Sequence, residues 1–115
     1  MSEPDSFVAG DVFYDSSEEE LARILKRAGI DVVVGPWKLT LFGSVARFHL
    51  RNVGNITPES AFTVDVSGYG IPLSTVEDWC VRLASCLEEN AIAYDYAHFD
   101  VHQDAIRAYK SRNAC

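Results

Sequence analysis

No apolar run in the chain approaches the roughly 20 residues of a membrane-spanning helix. Cysteine is scarce, at three residues, Cys80, Cys86 and Cys115. The count is odd and no CxxC spacing occurs, which favours a reducing setting over a disulfide framework. Cys80 and Cys86 fall in one predicted helix, where their separation turns by about 600° and leaves them on different faces. The N-terminus carries no basic, apolar leader, so the expectation is a reducing, cytoplasmic setting. Nucleotide signatures are missing as well. "SGYGIPLS" (67–74) sets Gly68 and Gly70 ahead of a helix, but the spacing fits neither a Walker loop nor a dinucleotide fingerprint. A tight turn accounts for it. No Ser, Cys or Thr stands beside a recognisable activating partner.

Basic residues are absent from positions 1–20, which hold seven acids: Glu3, Asp5, Asp11, Asp15, Glu18, Glu19 and Glu20. The remaining ten acids are balanced by all ten Lys and Arg, so the whole net charge of -7 sits at the start of the chain. Such a field repels phosphate backbones and attracts basic partners. It disfavours general nucleic-acid binding.

What is present is ordinary for a globular domain. The 115 residues are 48% hydrophobic and 23% charged, enough for one core without staples. The reading is a single domain over 1–115, with 1–6 as a flexible tail. "FVAGDVFYD" (7–15) alternates as a strand, with Gly10 a candidate bulge. "SSEEELARILKRAG" (16–29) comes next as a helix: Ser16 or Ser17 caps it, acids fill the first turn and bases the last. Leu21, Ile24, Leu25 and Ala28 make its buried stripe. Residues 31–42 read as one extended segment bent at Gly35-Pro36. A turn at Gly43-Ser44 leads into a strand over 45–53 with Ala46, Phe48 and Leu50 inward. Residues 61–66 form a further strand. A second helix starts at a Ser74 cap with Glu77 as box partner, and buries Val76, Trp79, Cys80, Leu83 and Leu87. A strand over 91–99 and a short final helix near 101–111 complete a β-α-β-β-β-α-β-α order. That order predicts an α+β fold, a ferredoxin-like two-layer sandwich with a mostly antiparallel sheet, two main helices on one face and the other face open.

Three stretches are candidates for function. In "YDYAHFDVHQD" (94–104), strand spacing would align His98, Asp100 and His102 as metal ligands. Alternate strand residues lie roughly 7 Å apart, too far for two bonds of about 2 Å to one ion. A helix cap, with Asp100 and Gln103 as the box, is the better reading. No metal or cofactor is therefore expected. The second stretch is the acidic run, with Tyr14, Asp15, Glu18, Glu19 and Glu20 as a surface for a basic partner. The plainer alternative is a solvated helix start. The third is Arg47, His49 and Arg51 on one strand face, either an anion-binding strip or cross-strand partners of Thr63 and Asp65.

In size, charge and class the chain resembles small acidic immunity or inhibitor proteins that neutralise toxins, without a shared motif or matching residues. The resemblance implies a non-catalytic domain that binds a basic protein. The acidic run read above, Tyr14, Asp15, Glu18, Glu19 and Glu20, would then face the basic groups of that partner. The rival is a small enzyme or ligand-binding domain on the open sheet face, using Arg47, His49, Arg51, Tyr94, Tyr96 and His98. Homo-oligomerisation through sheet faces or edges is a third expectation.

Overall fold

The computed structural model describes residues 6–14, 17–43, 48–52, 61–67, 71–100, 102 and 104–111. Within these, the elements in chain order are β1 (Ser6–Phe13), α1 (Glu18–Arg27), β2 (Val32–Gly35), β3 (Lys38–Leu41), β4 (Phe48–Asn52), β5 (Ala61–Ser67), α2 (Leu73–Glu89), β6 (Ala93–Asp100) and β7 (Ala105–Lys110). All strands join one antiparallel sheet in the order β2-β3-β4-β5-β1-β6-β7. The fold is thus α+β with two helices, as expected, but this seven-stranded order is not that of a ferredoxin-like sandwich. Among the described residues no helix is long and apolar enough to cross a membrane.

Two local differences from the expected pattern explain the extra strands. Residues 31–42 are not one bent segment but a hairpin, with Gly35 opposite Lys38 across Pro36 and Trp37. Proline presets the first corner, and Trp37 takes φ 62°, the conformation that glycine usually supplies at the second. The final helix is instead β7. Asp100 was expected to cap that helix; its carboxylate accepts from the His102 N–H at 2.8 Å and the Asp104 N–H at 3.1 Å. The same capping chemistry closes a strand-to-strand turn, sealed by Asp100 N–H to Asp104 O at 3.0 Å.

The helices form as their caps dictate, with one exception. Ser17 Oγ accepts the Glu20 N–H at 3.3 Å, and acids precede bases along α1. Leu21, Ala22 and Leu25 are buried there, while Ala28, expected inside, is exposed. Helix α2 begins one residue before Ser74, with Pro72 as its N-cap and no side-chain capping bond. Ser74 is therefore not the cap, and the Glu77 carboxylate is taken by Arg107 instead. Val76, Cys80, Leu83, Cys86 and Leu87 line the buried face of α2. Trp79 lies half-buried, stacked on Phe42 with ring centroids 5.5 Å apart.

Strand register fixes which side chains meet the helices. Val8, Gly10 and Val12 of β1 stand opposite Val66, Val64 and Phe62 of β5, and opposite His98, Tyr96 and Tyr94 of β6. With Leu39, Leu41, Phe48 and Leu50 these form the layer under α1 and α2. Pairing runs unbroken through Gly10, so the expected bulge is not there. Gly10 has a different reason: a Cβ at this position would run into the Asp95 carbonyl oxygen and the Tyr96 backbone. Ser6, expected in the flexible tail, is the first residue of β1.

Candidate functional site

Side chains alternate across a strand, so the register also defines the uncovered face. One row runs Val33, Thr40, His49, Asp65, Ala9, Ala97 and Ala108; the next runs Lys38, Arg51, Thr63, Asp11, Asp95 and Lys110. His49 and Arg51 are on this face as expected. Arg51 bridges to Asp65 at 3.1 Å, and His49 Nδ1 shares a hydrogen bond with Thr40 Oγ1 at 3.2 Å. Burial, and then the charge of Lys38, hold the His49 pKa below its ordinary value. Arg47 lies outside the described residues.

Tyr94, Tyr96 and His98 are on the opposite face, buried under α2. The expected pocket around His49 and His98 therefore does not form, because the sheet itself separates the two imidazoles. The Tyr96 hydroxyl donates to the Cys80 carbonyl at 2.6 Å, pinning β6 to α2. His98 is 1% exposed, and neither ring nitrogen has a hydrogen-bond partner among the described residues. Desolvation lowers its pKa, against the pull of the Glu77 carboxylate. His102 is exposed in the β6–β7 turn, so it does not converge with His98. Among the described residues no group of three or more His, Cys, Asp or Glu side chains could hold a metal.

The acidic run is partly displayed and partly engaged. Glu18 Oε1 accepts from Asn52 Nδ2 at 2.7 Å, tying the first turn of α1 to the end of β4. Glu20 pairs with Arg23 at 3.3 Å, with both side chains about half exposed to solvent. Glu19 is exposed. Tyr14 is half-buried against the core and so belongs to the packing. Asp15 lies outside the described residues. Asp11 stands directly opposite Asp95 on the open face, which sets two carboxylates side by side near the end of β1 that leads into α1.

A further concavity was not foreseen. A groove of about 510 Å³ opens between α2 and β7, lined by Val81, Ala84, Ser85, Glu88, Tyr94 and Tyr109 among others. The Tyr94 hydroxyl donates to Glu88 Oε1 at 3.0 Å. Burial pushes the Tyr94 and Tyr109 phenols up to about 12, so both keep their protons at neutral pH. Reading 101–111 as a helix hid this groove; strand alternation of Arg107 and Tyr109 was the signal for it. No family model matches the chain, and neither curated proteins nor solved structures give a significant match.

Proposed function

We propose that the chain is a non-catalytic protein-binding domain that recognises a basic protein partner, in the manner of an acidic inhibitor or immunity protein. The observation that carries this reading is the first turn of α1. Glu18, Glu19 and Glu20 are held there in a capped helix start, with Arg23 the one cation paired to them among the described residues. The helix dipole stabilises these carboxylates, so the turn keeps its shape while presenting negative charge. Charge so placed raises the rate of encounter with a basic surface, and close contacts then set the lifetime. The alternative, a ligand site shared by His49 and His98, is disfavoured because the two lie on opposite faces of the sheet.

The test is a combined Glu18→Gln, Glu19→Gln and Glu20→Gln variant. Immobilised wild type and variant are compared for capture of basic proteins from the source cells at low and at high salt. The expectation is a salt-sensitive partner held by wild type and lost by the variant. A partner captured equally by both would refute this surface.

A further inference from the structure

The edge of the sheet at β7 carries a feature that the acidic turn of α1 does not explain. Ser111 N–H donates to Tyr94 O at 3.0 Å, which makes Tyr94 and Ser111 a hydrogen-bonded pair. Such pairs alternate along an antiparallel ladder. In the register of β6 with β7, Tyr96–Tyr109 and His98–Arg107 then bond inward, while Asp95–Lys110 and Ala97–Ala108 do not. Ala108 and Lys110 consequently turn their backbone N–H and C=O groups outward. No strand lies beyond β7 among the described residues. Their side chains lie on the open face, whereas that of Tyr109 points beneath α2 into the groove.

A strand laid along this edge, about 4.8 Å from β7, would send alternate side chains into the same groove. The Tyr109 side chain forms part of the groove wall, with its hydroxyl buried beneath the surface. Charge selects the occupant. Arg107 is already committed, bonded to Glu77 at 2.7 Å and lying over the Tyr109 ring at 5.2 Å. Lys110 stands opposite Asp95. Glu88 and Glu89 stand at the α2 lip with no ion pair among the described residues, while Val81 and Ala84 offer apolar wall between them and β7.

The geometry points to a strand-addition site on β7 for an extended basic peptide segment, whose Lys or Arg stem lies on Val81 and Ala84 and whose cation reaches Glu88 and Glu89. The peptide backbone pairs with Ala108 and Lys110. This site is separate from the acidic turn of α1 and stands or falls without it.

The probe is a short acetylated peptide alternating valine with lysine, titrated into the full chain and followed by amide NMR shifts. Saturable shifts at Ala108, Lys110 and Ser85 are expected. The pair Glu88→Gln with Glu89→Gln is expected to weaken binding roughly tenfold, the scale of a charge-assisted contact. Replacing the lysines of the peptide by glutamate should do the same. Ala108→Pro removes an outward N–H while sparing the ladder to β6, and should abolish binding. A peptide N-methylated at its pairing amides should also fail to bind, and that arm needs no change to the protein. The Glu18→Gln, Glu19→Gln, Glu20→Gln variant should bind as wild type does. Shifts gathered at α1 in place of β7, equal binding by the N-methylated peptide, or no saturation would overturn the site.

Discussion

Replacing His98 by leucine should make this protein more stable, although the change falls in the middle of its core. The side chain sits on β6 between Val8 of β1 and Arg107 of β7, and both ring nitrogens are buried without partners among the described residues. Burying a polar group in this state costs about 1–3 kcal/mol, the scale measured in mutants of other proteins. Leucine fills a similar volume without the desolvation cost. For a chain of this size each kcal/mol moves the melting temperature by about 4 °C, so His98→Leu should melt roughly 4–12 °C higher at pH 7.5.

The pH dependence gives an independent check on the same residue. Burial lowers the His98 pKa in the folded chain below the ordinary 6.5, with the Glu77 carboxylate opposing it. Well above pH 6.5 the ring is neutral in both the folded and the unfolded chain, so it adds no pH dependence there. As pH falls below 6.5 the unfolded chain takes up the proton first. Stability then drops, by at most about 1.4 kcal/mol per pH unit, and levels off below the folded-state value. His98→Leu should flatten that decline in urea unfolding curves measured from pH 7.5 to 5. His49 is shifted in the same direction, so a shallower slope should persist until it too is replaced. A His98→Leu protein that melts lower than wild type and keeps the full acid slope would refute the reasoning. It would mean that the imidazole makes hydrogen bonds that hold it in place.

Two further outcomes are expected. Gly10→Ala should destabilise by roughly 2–4 kcal/mol in urea unfolding, because the new methyl group collides with backbone of β6 and because φ 154° strains an L-residue. Ser17→Ala should cost about 1 kcal/mol through the lost cap, while Ser17→Asp should retain most of it, as thermal melts of the two variants would show.

Periodicity located the core wherever burial was one-sided. Leu21 and Leu25 on α1, Val76, Cys80, Leu83 and Leu87 on α2, and Phe62, Val64 and Val66 on β5 all point inward as their spacing predicts. Capping chemistry carried less. Ser17 and Asp100 both use a side-chain oxygen to bind backbone N–H groups ahead of them, yet one opens a helix and the other a hairpin. The difference arises further along the chain, where Arg107 finds Glu77 on α2 and Tyr109 stacks on Tyr96 of β6, contacts no local pattern encodes. The candidate site suffered from the same limit. Alternation correctly grouped Tyr94, Tyr96 and His98 on one face, but which face the helices cover depends on pairing with Val8 and Val12 of β1. Tyrosine and histidine on a strand read equally well as an exposed pocket or as core, and here they are core.

The position of β1 bears on how the molecule is made. Strand β1 lies between β5 and β6, so both of its neighbours emerge only after α1 and β2 to β4 have been made. Until then its valines have no sheet to join, and loop closure over that separation delays their pairing. A nascent chain on the ribosome would carry an unsatisfied β1 until β5 emerged. Its dense negative charge nearby, whatever it later attracts, would keep such chains apart from one another in the meantime.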